Sequence, residues 1–135
     1  MEERMGKLEL EELRKRKKDQ TVKLIEVADV TRRIAESVDH GDPVAAQMLL
    51  AEREQPVREL RELEEGVRAY VLDRPEQEAI RMGELLGGGE PETEDEKELA
   101  EQVAQFRRIL DSVLALDKEL SIRLGGNQSF YKKFR

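Results

Sequence analysis

The chain contains no cysteine and no tryptophan, two tyrosines and three phenylalanines, and a single histidine. Without cysteine there is no disulfide framework, no thiolate nucleophile and no Cys-based zinc site, and a reducing compartment fits. No apolar run approaches the ~20 residues of a membrane span, and Met1 to Gly6 are charged rather than signal-like. A soluble, cytoplasmic protein is the expectation, with no membrane insertion. An excess of positive charge is missing too: 24 basic residues face 31 acidic ones, a net charge of −7. That balance argues against nucleic acid as the main partner, because phosphate recognition needs a basic face.

What the chain has in quantity is charge of both signs, 41% of its residues against about 25% in ordinary domains. Ala, Glu, Leu, Lys and Arg make up 74 of the 135 residues, the composition of long helices and coiled coils when apolar residues keep a helical period. The apolar share of 38% can bury one shared core if it is ordered into stripes.

The stripes are present. From Leu10 to Val38 a seven-residue register places Leu10, Lys17, Leu24, Thr31 and Val38 in one row and Leu13, Gln20, Val27 and Ile34 in the other. This reads as one long helix whose seam is interrupted between Arg14 and Val22. Gly41 stops it, and Asp42-Pro43 restarts the chain with an N-cap acceptor and a proline already at helical φ. A second helix over Pro43 to Leu72 places Val44, Met48 and Ala51, then Val57, Leu60, Val67 and Val71, at helical spacing. Pro56 inside it predicts a kink or break near Gln55. A short helix follows Asp73-Arg74-Pro75-Glu76, with Ala79, Ile80 and Leu85 inward, and ends at Gly87-Gly88-Gly89, read as a linker.

Thr93-Glu94-Asp95-Glu96 is a capping box, in which the Thr93 hydroxyl and the Glu96 carboxylate each accept the other residue's backbone N–H. From it runs the cleanest stripe, Leu99, Phe106, Val113 and Leu120, joined by Val103, Ile109, Leu110, Leu116 and Leu124. At ~1.5 Å per residue the three long segments reach about 45 Å each. The expected fold is all-α: a coiled-coil-like antiparallel helical bundle of three long helices plus one short helix over residues 1–126, followed by a flexible basic aromatic tail over 127–135.

Residues able to carry chemistry are few. His40 lies between Asp39 and Asp42 in the first turn, where capping already accounts for the aspartates. Di-iron bundles need Glu-x-x-His, and residue 37 is Ser. Glu62, Glu64 and Glu65 are the nearest thing to a Mg²⁺ cluster, but 23 glutamates make such clusters by chance. Gly87 to Gly89 lead into acidic residues that would repel a phosphate. Neither enzyme activity nor a cofactor or metal is expected. The basic run Arg14 to Lys18 is either a solvated face or a dock for acid, including the chain's own Glu84 to Glu101, which carries eight acidic residues against Lys97. The last nine residues set Phe130, Tyr131 and Phe134 among Lys132, Lys133 and Arg135, either a tail folded back on the bundle or a short recognition peptide.

Gly41-Asp42, Leu49-Leu50-Ala51-Glu52-Arg53-Glu54 and Val57-Arg58-Glu59-Leu60 together resemble the second helix of flagellar type III export chaperones, those serving hook-associated and filament-cap proteins. Ile109-Leu110-Asp111 through Leu116-Asp117-Lys118-Glu119-Leu120 resembles their last long helix, so the likeness spans roughly residues 22–72 and 96–124. Pro56 and the Gly87 to Gly89 segment depart from it. The resemblance implies a cytoplasmic chaperone that holds a terminal helical segment of a late flagellar subunit, prevents premature assembly and delivers it to the export gate. On that reading Phe106, Ile109, Leu110, Val113, Leu116 and Leu120 bind the client, and Phe130, Tyr131 and Phe134 form the gate-binding tail. A structural or adaptor bundle acting by coiled-coil contacts, including a homodimer, stays open beside it.

Overall fold

A computed structural model describes residues 6–124. It contains four helices in chain order, α1 (Lys7–Asp39), α2 (Pro43–Leu72), α3 (Glu76–Leu86) and α4 (Glu94–Leu124), and no strand among the described residues. The protein is an all-α bundle of three long helices and one short one. No helix of the described residues is long and apolar enough to cross a membrane.

Two compact units share the long helices. The first combines Met1–Thr21 with Arg61–Arg107, the second Val22–Leu60 with Arg108–Arg135. In the first unit Leu10 and Leu13 of α1, Val67 of α2, Met82 and Leu85 of α3, and Leu99 and Val103 of α4 form one buried cluster. The Tyr70 hydroxyl donates to the Glu9 carbonyl at 2.9 Å, joining the end of α2 to the start of α1. In the second unit Ile34, Leu49, Leu50 and Leu120 form the buried cluster, flanked by Val30, Ala35, Val38 and Leu116. There Lys23 Nζ lies 2.8 Å from Glu59 Oε1 and Arg123 Nη1 3.1 Å from Asp39 Oδ1. Helix α2 therefore runs antiparallel to α1, and α4 parallel to it.

Turn chemistry behaves as the sequence indicates. After α1, Gly41 N–H donates to the Val38 carbonyl and Asp42 N–H to the Ser37 carbonyl, the paired bonds of a Schellman ending. Gly41 has φ +67°, which a Cβ would disfavour. The Asp42 carboxylate then accepts the Ala45 N–H at 3.1 Å and caps α2. The same ending closes α3: Gly88 (φ +96°) and Gly89 donate to the Leu85 and Glu84 carbonyls. The three glycines are thus a fixed helix terminus rather than a linker.

Four other expectations are corrected. Of the kink or break expected near Gln55, the break is absent: helix α2 continues through Pro56, and Pro56 is buried on the same face as Arg53 and Val57, so tertiary packing holds the helix across its one missing hydrogen bond. The seam of α1 is not interrupted, because Lys17 and Gln20 occupy its core positions, 8% and 3% exposed. Ile80 faces outward at 54% exposure, and Met82 takes the inward place beside Leu85. The capping box is half reciprocal: Glu96 N–H donates to Thr93 Oγ1 at 3.1 Å, but the Glu96 carboxylate accepts the N–H of Glu92. Arg81 of α3 holds that carboxylate at 2.6 Å, and the pairing raises the guanidinium's already high pKa.

Candidate functional site

Each long helix repeats core positions at alternating spacings of three and four, and the residues at those positions are not all apolar. In α1 they are Leu10, Leu13, Lys17, Gln20, Leu24, Val27, Thr31 and Ile34, every one of them at most 8% exposed. Helix α2 continues the pattern with Ala46, Leu50, Arg53, Val57 and Leu60, and α4 with Val113, Asp117 and Leu120, again all buried. Charged side chains at such positions cost desolvation unless they find partners. They have found them.

Within the first unit the Lys17 ammonium sits 3.7 Å over the ring of Phe106. Cation and ring quadrupole attract, yet burial pushes the lysine pKa down to about 8, with Glu64 opposing the shift and Arg107 adding to it. The Thr21 hydroxyl turns back to the Lys17 carbonyl at 3.0 Å. Gln20 Oε1 is buried with no hydrogen-bond partner among the described residues.

Within the second unit the polar layer is fully connected. Arg53 Nη1 donates to Asp117 Oδ1 at 2.7 Å and to Thr31 Oγ1 at 3.3 Å, while the Thr31 hydroxyl donates to the Val27 carbonyl at 2.8 Å. One side chain from each long helix takes part. An apolar-only reading of the sequence passes over Arg53 and Asp117; the spacing of Arg53 by seven from buried Ala46 and Leu60, and of Asp117 by four and three from buried Val113 and Leu120, is the signal that exposes them.

The basic run of α1 is largely consumed inside the first unit. Arg14 pairs with Glu98 and lies 3.9 Å from Asp95 of the acidic stretch. Arg16 bonds Glu12 at 2.8 Å and stacks over Tyr70, which Arg74 also approaches. Only Lys15 and Lys18 of the five remain exposed. This is intramolecular neutralisation, one of the two readings of that run.

The α4 row proposed from sequence divides. Val113 and Leu120 are 4% and 3% exposed and belong to the second unit's core, and Leu116 packs against it. Ile109 and Leu110 are half-buried in the same unit, and Phe106 is half-buried under Lys17 in the first. Phe130, Tyr131 and Phe134 lie outside the described residues.

Exposed apolar side chains lie elsewhere. Of eight large ones among the described residues, Leu72 and Ile80 are in the first unit; Val22, Ile25, Val44, Met48, Ile122 and Leu124 are in the second. In the first unit Met82 and Leu85 of α3 close the core of the three long helices; the described residues of the second unit include no counterpart of α3. Val44 and Met48, part of the apolar spacing of α2, are 68% and 63% exposed. Met48 lines a cleft of about 630 Å³ between the end of α1 and the start of α2, floored by Ala45 and Leu49 and rimmed by Arg33, Glu36, His40, Asp42 and Glu52. The His40 ring contacts the Glu36 carbonyl through Nδ1 at 2.7 Å, so the histidine closes the helix end. No group of three or more His, Cys, Asp or Glu among the described residues is placed to hold a metal ion.

No protein-family model, no curated protein and no solved structure matches the chain.

Proposed function

We propose that the protein is a cytoplasmic flagellar export chaperone, a helical bundle that holds a terminal helical segment of a hook-associated or filament-cap protein until it reaches the export gate. The supporting observation is the placement of six of the eight large exposed apolar side chains in the second unit, where the described residues include no fourth helix. An amphipathic helix laid on such a surface buries apolar area on both partners, the usual mode of helix-in-groove recognition. Of the α4 row, Ile109, Leu110 and Leu116 keep part of their surface and stay in the proposal. Val113 and Leu120 are reached only if the three-helix core opens, and Lys17 occupies one face of the half-buried Phe106 ring.

The decisive experiment is calorimetric titration of the full chain with a purified hook-associated or filament-cap protein from the same genome. Micromolar or tighter binding to one of them, lost in Ile25→Asp plus Ile122→Asp while helicity is unchanged, is the expected result. Absence of binding to any of them rejects the chaperone reading. A homodimer seen by sedimentation and dissolved by the same two substitutions would assign the surface to a second copy of the chain, the adaptor reading.

A further inference from the structure

The α1–α2 cleft of the second unit combines an apolar floor with an acidic rim. Ala45 and Leu49 are partly or wholly buried at its base and Met48 stands 63% exposed beside them. Around them are three carboxylates, Glu36, Asp42 and Glu52, against one guanidinium, Arg33. At about 630 Å³ it falls in the range of roughly 300–1,000 Å³ that holds a compact ligand, room for a few side chains and too little for a whole helix. Its complement is a short segment carrying aromatic groups and cations.

The chain has one such segment. Asn127 to Arg135 contains Phe130, Tyr131 and Phe134 with Lys132, Lys133 and Arg135 and no acidic residue. The point from which it departs is also fixed. Arg123, next to the last described residue, is bonded at 3.1 Å to Asp39, and His40, immediately after Asp39, lines the cleft. From Leu124 to Phe130 is six residues, about 20 Å of extended chain at ~3.3 Å each. The stretch of chain along the cleft at the end of α1, Arg33 to His40, is about 10 Å long at ~1.5 Å per residue. Every part of the cleft is within reach.

We propose that residues 127–135 of this chain dock in cis into the α1–α2 cleft of the second unit, with aromatic side chains over Ala45, Met48 and Leu49 and the cations against Glu36, Asp42 and Glu52. Tethering raises the local concentration of such a segment to the millimolar range, so weak contacts suffice. The inference does not need the chaperone reading; it assigns the exposed Met48 an occupant of its own and leaves Val22, Ile25, Val44, Ile122 and Leu124 to a client.

The absence of native cysteine makes the test direct. In the full chain, Met48→Cys with Phe130→Cys is compared with Lys118→Cys with Phe130→Cys under mild oxidation at low protein concentration. Docking in cis predicts an intramolecular disulfide at least tenfold faster in the Met48 pair, slowed about tenfold by Glu36→Lys plus Glu52→Lys or by molar salt. Circular dichroism checks that these surface variants stay helical. Equal rates in the two pairs overturn the proposal, and so does an unchanged rate in the charge-reversed rim. A cross-link that is intermolecular and vanishes on dilution overturns it in favour of a second copy as the occupant.

Discussion

Arg53 of α2 and Asp117 of α4 meet at 2.7 Å in the core of the second unit, their side chains only 4% and 2% exposed. Neither has the surface on which arginine and aspartate ordinarily sit. A pair so placed fixes which turn of one helix faces which turn of the other, because a shift of either helix by one turn would strand two charges among Leu49, Leu50, Val57 and Val113. It also marks a cost, since the same space filled by apolar side chains would need no desolvation.

Removing one partner and removing both should therefore have opposite effects. Asp117→Ala leaves a buried guanidinium without that carboxylate and should destabilise the fold by roughly 3–5 kcal/mol. Arg53→Met with Asp117→Leu should recover most of that loss or exceed the original stability. Urea unfolding followed by circular dichroism measures both. A double variant as unstable as the single one would show that the layer contributes net stability rather than register.

Composition and periodicity specify the four helices and both glycine endings, because caps and turns are local and each residue type has one main use there. The core is read less well. Apolarity alone places Val44, Met48 and Ile80 inward, yet they face outward, whereas Lys17, Gln20, Arg53 and Asp117 are polar and face inward. Hydrophobicity alone ranks these residues in the wrong order; the three-four spacing of the full register ranks them correctly, but only when polar residues are allowed into it. The most apolar row of α4 is partly core, and which apolar residues remain outside depends on where α3 lies, a tertiary fact.

Lys17 should weaken the first unit at neutral pH. Its pKa is about 8 in the folded chain against 10.5 in the reference state, chiefly through burial, so between these values the unfolded chain binds more protons and stability rises with pH. Below pH 8 the full penalty applies. Lys17→Met should thus be more stable than the parent at pH 7, by on the order of 2 kcal/mol, and the gap should narrow as pH approaches 10. Chemical unfolding of both proteins across that range reads the difference. A gap that is constant with pH would remove the titration of Lys17 as its cause. Gln20→Leu, which deletes a buried oxygen lacking a partner among the described residues, should be stabilising without any such pH dependence.

Gly83 lies in the middle of α3, where a Cβ would meet nothing within 4 Å and φ is not positive. Glycine costs a helix interior about 0.5–1 kcal/mol relative to alanine. Gly83→Ala should therefore raise stability by that amount. Gly89→Ala should do the reverse, because its Cβ would come within 2.8 Å of the Glu84 carbonyl. Thermal unfolding of the two variants separates them, and a stabilising Gly89→Ala would contradict the fixed ending described for α3.

Position on the second unit should decide whether an acidic substitution affects folding or binding. Val113 is 4% exposed, so Val113→Asp buries a carboxylate without a partner designed for it and should lower stability by several kcal/mol. Ile122 is 77% exposed on the same helix, and Ile122→Asp should shift stability by no more than about 0.5 kcal/mol. If the outward apolar residues form the client surface, Ile122→Asp nevertheless weakens client affinity at least tenfold, while Val113→Asp weakens it only in proportion to the fraction of chain unfolded. Titrations at matched folded concentration distinguish the two. Equal affinity of the Ile122→Asp variant and the parent would move the client surface off this face of α4.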